Sequence, residues 1–180
     1  MFEETVLSAE KVFEGKLLTL NRDIVKLQNG AKANREFVKT SDASCILALD
    51  NLKNLILVRQ YRYAHKNNML EIPAGRIEYK ESPLNAAKRE FFEETGYASN
   101  DWEQLHILNP ATYSTQKLYI FSALNVYFKD IACPDDGEFL ELVKMPFIDA
   151  LNMVLNGDIK DSKSVVGILK FYILNKNFFE

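Results

Sequence analysis

Residues 75–97 read GRIEYKESPLNAAKREFFEETGY, and the physical constraints inside this stretch organise the rest of the chain. Ser82-Pro83 places a capping hydroxyl before a proline suited to the first helical position, and Gly96 supplies a stop, so the spacing predicts a helix over residues 83–95. Leu84, Ala87 and Phe91 recur at i, i+3 and i+7 and form a stripe that can face a sheet, while Glu90 and Glu94 share a different face one turn apart. Like charges four apart destabilise a helix by about 0.2–0.5 kcal/mol. With Glu93 between them the run has three carboxylates in little more than one turn. Such hard oxygen donors suit Mg²⁺ or Mn²⁺, and either ion would remove the repulsion and attract phosphate. Gly75 and the loop 76–80 let backbone approach the same place, and Arg89 is expected to pair with Glu81, holding the loop against the helix.

Working outward from the helix, residues 43–50 (ASCILALD) and 55–60 (LILVRQ) are nearly continuous apolar runs on either side of a turn. They predict a central hairpin buried on both faces. The second run opens into RQYRYAHKNN, a basic and aromatic exit, before residues 69–73 (MLEIP) resume an apolar strand. Further upstream, residues 1–20 suit short strands joined by a turn at Gly15. Ile24, Val25 and Leu27 then lead into Asn29-Gly30, the signal for a two-residue hairpin loop, with residues 33–40 as the returning strand. Downstream, residues 102–108 and 117–128 read as strands around the loop 109–116, and a polar loop at 130–137 precedes a strand over 138–143. Helical periodicity returns in Phe147, Ala150, Leu151, Val154 and Leu155 up to Gly157. It returns again in Val165, Ile168, Leu169, Tyr172 and Ile173 after the capping residue Asp161. The expected class is α+β: a mixed sheet with helices against its faces, in one domain unit with an N-terminal antiparallel strand extension over residues 1–42.

Composition narrows the partners. A net charge of −3 over 180 residues gives no whole-molecule field for nucleic acid or an anionic membrane, so binding must come from local sites. Two cysteines without metal-type spacing, Cys45 in an apolar run and Cys133 beside a proline, read as reduced thiols. The acidic N-terminus does not resemble a signal peptide and no stretch has membrane-spanning length, which gives a cytoplasmic expectation. His65 and His106 follow no ligand spacing, and Trp102 and the phenylalanines read as core.

The spacing carries a resemblance. Gly75, Glu81, Arg89-Glu90, the apolar Phe91, Glu93-Glu94, Gly96 and the aromatic Tyr97 resemble the complete Nudix box. Average residue frequencies put such a set of fixed identities at about one in a million for a chance sequence of this size. The lead-in Leu70-Glu71-Ile72-Pro73-Ala74-Gly75, the upstream Arg59-Gln60-Tyr61-Arg62 and the final helices are similar to the ADP-ribose pyrophosphatase branch. The resemblance implies the Nudix fold, a mixed β-sheet sandwiched between α-helices, with the hydrolase domain over residues 43–180. It also implies Mg²⁺-dependent (or Mn²⁺-dependent) hydrolysis of ADP-ribose to AMP and ribose 5-phosphate. A GDP-mannose or other nucleoside diphosphate sugar hydrolase, or a non-catalytic module that senses ADP-ribose or a nucleotide, shares most of these features.

Carried over by position, the resemblance makes Glu90, Glu93, Glu94 and the carbonyl of Ala74 metal ligands. Glu93 and Glu94 count among the catalytic residues, with Arg89 and Glu81 orienting loop and helix. The general base falls in the acidic loop before the late strand, where Asp136 and Glu138 are both candidates; the loop after the box offers Gln116 and no acid. Arg62 and Glu71 are expected to bind substrate. Arg35 and Glu36 match an adenine-contacting pair in enzymes whose two-fold homodimer, with exchanged N-terminal strands, completes each site. One departure bears on substrate: Pro110 is followed by Ala111-Thr112-Tyr113, where ADP-ribose enzymes carry a proline followed by glycine.

Overall fold

A computed structural model describes residues 2–134 and 137–179. Asp135 and Asp136 therefore lie outside the described residues. The chain divides into two compact units, Met1–Asp42 with Asn109–Lys117, and Ala43–Leu108 with Leu118–Glu180.

The first unit is an antiparallel sheet of β1 (Thr5–Glu14), β2 (Leu18–Lys26) and β3 (Lys32–Thr40), in that order. The predicted two-residue turn at Asn29-Gly30 is in fact a longer loop. Leu27 N–H donates to Ala31 O at 2.8 Å, leaving Gln28, Asn29 and Gly30 outside the ladder. Gly30 takes φ +84°, the left-handed residue that a three-residue loop requires. The segment Asn109–Lys117 joins this unit through Val38, whose N–H donates to Tyr113 O (2.8 Å) and whose carbonyl accepts from Thr115 N–H (3.0 Å). Every residue of β1 is exposed, including Val6, Leu7, Val12 and Phe13.

The second unit contains β4 (Ala43–Leu49), β5 (Asn54–Arg62), β6 (Asn67–Glu71), β7 (Ala74–Arg76), α1 (Pro83–Thr95), β8 (Tyr97–Ala98), β9 (Asp101–Leu108), β10 (Leu118–Leu124), β11 (Tyr127–Phe128), β12 (Leu140–Pro146), α2 (Phe147–Leu155), α3 (Ser162–Leu174) and the short α4 (Lys176–Phe179). The mixed sheet runs β12-β5-β4-β10-β9, with β4 and β10 parallel; β6 pairs with β5, and β7 with β4. Alternation along the buried strands divides the core in two. Ile46, Ala48, Ile56, Phe121 and Ala123 face Ala87 and Phe91 of α1, whereas Cys45, Leu47, Leu49, Leu55, Leu57 and Ile120 face Phe147, Leu151, Ile168 and Phe171 of α2 and α3. The sheet is thus sandwiched between helices.

Further details depart from expectation, among them the exposure of Phe13, Phe128 and Phe139, for which the sequence suggests core positions. The β4–β5 hairpin pairs only at its turn, Ala48 with Ile56 and Leu49 with Leu55. Beyond that, β5 takes β6 and β4 takes β7 as partners. The single strand expected over residues 117–128 is two strands, interrupted where Asn125 adopts φ 53° and Val126 N–H turns to Leu49 O. Leu155 and Ile173, counted in the apolar faces of their helices, are exposed. Among the described residues, no helix is long and apolar enough to cross a membrane.

Candidate active site

The site rests on the split in the central hairpin. Pro73 O accepts from Ile46 N–H (2.8 Å), and Ala74 and Gly75 pair with Cys45 and Ser44 of β4, which sets this backbone inside the sheet beside α1. Helix α1 has the predicted boundaries because its capping chemistry is local. Ser82 Oγ accepts from Asn85 N–H at 3.2 Å, Pro83 opens the first turn, and Gly96 at φ +74° ends the helix with its N–H on Phe92 O. Ser44 Oγ donates to Pro83 O at 2.7 Å, tying the helix start to β4.

Arg89 is the centre of the polar network. Its Nε and Nη2 donate to Glu81 Oε1 and Oε2 (3.0 and 2.9 Å), the pairing expected from sequence. It also donates through Nη1 to Glu90 and Glu93 (both 2.9 Å) and through Nη2 to the Arg76 carbonyl (3.0 Å). A single guanidinium therefore binds three carboxylates and the loop backbone, which its planar fork of donors permits. These hydrogen bonds hold the Glu81 carboxyl below its usual range.

Behind this network lies less compensated charge. Glu94 is buried, and burial together with the neighbouring Glu90 pushes its carboxyl up to about 8. Burial raises Glu90 as well, against the pull of Arg89. Glu138 lies close enough for its charge to push both in the same direction. Glu94 Oε2 accepts from Ala74 N–H at 3.1 Å, and a methyl group added at Gly75 would coincide with the Glu90 carboxyl. The strand backbone and the acidic face of α1 are thus in direct contact.

A second cluster adjoins the first. Arg62 donates to Glu71 through Nε and Nη2 (2.8 and 2.6 Å), and Lys163 Nζ donates to the same Glu71 Oε2 at 2.5 Å. Burial alone would raise the Glu71 carboxyl, but the bonds from Arg62 and Lys163 hold it below its usual range. The start of α3 is fastened here too. Asp161 caps Ser164 N–H, pairs with Lys163 at 2.9 Å and accepts from Ser164 Oγ, which itself accepts from Ile72 N–H at 2.8 Å.

Of the residues predicted from sequence, Ala74, Glu90, Glu93, Glu94 and Arg89 come together as one group, with Glu138 within electrostatic range of Glu90 and Glu94. Arg62 and Glu71 bond to each other. Arg35 and Glu36 belong to the first unit, where Arg35 binds Glu4 at 2.5 and 2.9 Å and Glu36 stands opposite Arg22. Gln116 donates to Ser41 O, and His106 lies 3.1 Å from Lys170 Nζ. Sequence reading missed Lys163 and Ser164. The capping signal at Asp161 marked where α3 begins, but nothing local ties Lys163 to a glutamate 92 positions away.

The donor set fits a hard divalent cation: it contains oxygen donors only and excess negative charge, and the Glu90 carboxyl lies directly against the strand backbone at Gly75. As the side chains stand, no three acidic, imidazole or thiol groups among the described residues converge on one point. Glu90 and Glu93 are turned to Arg89 instead.

The fold is a mixed sheet between helices, and its candidate site is built on an acidic helix packed against a glycine of the sheet. The NUDIX domain family model matches residues 39–165, and the chain belongs to the Nudix hydrolase family. It is 32% identical over 170 residues to a methanol dehydrogenase activator of Bacillus methanolicus, covering 93% of this chain and 92% of the relative. It is 30% identical over 168 residues to an ADP-ribose pyrophosphatase of Bacillus subtilis (strain 168), covering 92% and 91%. The crystal structure of an ADP compounds hydrolase superposes with a TM-score of 0.87 at 26% identity, over 98% of this chain and 96% of that one.

Proposed function

We propose that this enzyme hydrolyses the diphosphate bond of ADP-ribose, or of a closely related nucleoside diphosphate sugar, with Mg²⁺ as the physiological ion and Mn²⁺ as a substitute. The observation that carries this reading is the Glu90–Glu94 pair set against Gly75, where the buried Glu94 has no cation bonded to it among the described residues and the single guanidinium of Arg89 is shared among Glu90, Glu81 and Glu93. Glu90, Glu93, Glu94 and the Ala74 carbonyl would hold the ion. When bound, it supplies a polarised water and neutralises charge on the phosphate oxygens. Arg89 and Glu81 keep the loop 76–80 folded onto α1, so that the backbone at Gly75 and the carboxylates keep one relative position. Glu138, whose charge acts on both Glu90 and Glu94, accepts the proton of the attacking water; the other candidate, Asp136, lies outside the described residues. Arg62 binds the diphosphate and Glu71 orients it. Water adds across the P–O–P linkage, and for ADP-ribose the products are AMP and ribose 5-phosphate.

Arg35 and Glu36 are assigned to adenine recognition, in a cytoplasmic homodimer whose contact includes the apolar side chains that β1 leaves exposed. The similarity to ADP-ribose pyrophosphatases and to an ADP compounds hydrolase supports the substrate class. Incubating the purified chain and Mg²⁺ with ADP-ribose, GDP-mannose, UDP-glucose, NADH, diadenosine polyphosphates and oxidised dGTP, with products read by mass, tests it. ADP-ribose should be cleaved fastest, and Glu94→Gln should abolish turnover. Equal or faster cleavage of GDP-mannose would move the assignment to that branch, and full activity in Glu94→Gln would remove the metal-binding assignment. Heavy-oxygen water in the same assay identifies the phosphorus attacked.

A further inference from the structure

Glu71 is a carboxylate with 2% of its side chain exposed, yet it is held by two cations of very different accessibility. Arg62 is 39% exposed, whereas Lys163 is 9% exposed and fixed from behind by Asp161. Both cations converge on one oxygen: Glu71 Oε2 accepts from Arg62 Nη2 at 2.6 Å and from Lys163 Nζ at 2.5 Å, while Oε1 accepts from Arg62 Nε. Two of the guanidinium nitrogens are therefore bonded to Glu71. An arginine engaged in this way must give up bonds to the carboxylate before it can present the same donors to a phosphate.

We propose that Lys163 is a positioning residue that keeps Glu71 paired when Arg62 leaves it for the diphosphate of the substrate; this rests on the assignment of Arg62 to substrate binding. Without a second cation, withdrawal of Arg62 would strand a buried carboxylate, a heavily unfavourable state. With Lys163 in place, Glu71 keeps a charge-assisted bond throughout. Asp161 prevents Lys163 from following Arg62, and Ser164, on the same turn of α3, fixes the backbone at Ile72 next to Glu71, so the retained pair does not shift. The four charges Arg62, Glu71, Lys163 and Asp161 sum to zero. An arriving phosphate takes over the partner at the exposed end of the row and leaves the buried end intact. Nothing in this role requires Lys163 to touch substrate.

The probe is inorganic diphosphate with Mg²⁺, titrated by calorimetry into the wild-type chain, Lys163→Met, and Lys163→Met with Glu71→Gln. Lys163→Met removes the second cation and leaves Arg62 as the sole partner of Glu71, so diphosphate should bind at least about tenfold more weakly. Adding Glu71→Gln removes the charge that detains Arg62 and should bring affinity back to within about threefold of wild type, a recovery that a merely structural lysine would not permit. In the wild-type chain, the side-chain Nε–H resonance of Arg62, assigned by its loss in Arg62→Lys, should shift on saturation with diphosphate while the Lys163 ammonium signal stays in place. This measurement decides the matter even if Lys163→Met does not fold. Wild-type affinity in Lys163→Met, no recovery in the double variant, or an Arg62 resonance unmoved at saturation would each overturn the proposal. If diphosphate binds and moves Arg62 but ADP-ribose is not cleaved, the substrate assignment fails and the role of Lys163 stands. If the wild-type chain binds no diphosphate, both fail.

Discussion

The Glu90 carboxyl group occupies the space in which any other residue at Gly75 would carry its β-carbon. The glycine is required here by close approach and not by its dihedral angles, because it does not lie in the left-handed region. Gly75→Ala should therefore leave the fold nearly intact, since the clash is with the mobile end of a side chain. The loss in unfolding free energy should be about 1 kcal/mol or less. Activity should fall by about 100-fold, because Glu90 is displaced from the site. Urea unfolding and kcat/KM, measured on the same preparation, check the two halves of this expectation.

Gly96 gives the opposite result. Its φ of +74° and the Asp130 carbonyl next to its missing β-carbon make both conformation and space specific to glycine. Gly96→Ala should cost about 2 kcal/mol or more, from left-handed strain and from a clash with backbone that cannot swing aside. The residual folded fraction should keep a kcat near that of wild type, since Gly96 serves the helix end. A thermal melt and an assay below the melting temperature separate the two effects.

Arg89 satisfies Glu81, Glu90 and Glu93 at once, with its donors in a fork that lysine lacks. Arg89→Lys should keep the net charge but lose the simultaneous contacts, lowering kcat/KM by about 10-fold to 100-fold. Arg89→Met should further cost about 1–3 kcal/mol of stability, because two or more partly buried carboxylates lose their counter-charge. If Arg89→Lys retains full activity, Arg89 acts only by its charge.

Asp50 provides a pH-dependent contribution to stability remote from the carboxylate site. It closes the β4–β5 turn by accepting from Leu52 N–H and Asn54 N–H and by pairing with Lys144. Burial opposes ionisation, but the bonds from Lys144 and Asn54 outweigh it and lower the carboxyl to about 2, from 3.8 when unperturbed. A lowered folded-state value means the stabilisation is fully present above about 4 and is lost as pH falls through about 2. At neutral pH, Asp50→Asn should be less stable than wild type by about 1–3 kcal/mol, with the difference shrinking across that acid window. Denaturant unfolding from pH 7 to pH 2 gives the curve directly.

Helix α1 was legible residue by residue. Ser82, Pro83 and Gly96 act on backbone groups within a few positions, so their effect does not depend on the rest of the fold. The two-sided burial of β4 was legible for a similar reason, since an uninterrupted apolar run leaves neither face for water. The Arg89–Glu81 pair could also be anticipated, because its members lie only eight positions apart along loop and helix. Elsewhere the competition is nonlocal. Nothing within residues 43–60 announces that their hairpin will exchange partners with β6 and β7, or that Asn125 will break a strand to let Val126 reach Leu49.

By itself, the sequence determined the acidic helix, its limits, the stripe it buries and, through the spacing of its fixed residues, the family and type of reaction. Tertiary structure decided which backbone that helix meets. It set Gly75 beneath Glu90, brought Glu138 within electrostatic range of Glu90 and Glu94, and placed Lys163 on Glu71, 92 positions away. Capping and periodicity are settled by neighbours along the chain. The shared burial of opposite charges is settled only when sheet and helix have packed and excluded the water that would otherwise have solvated them.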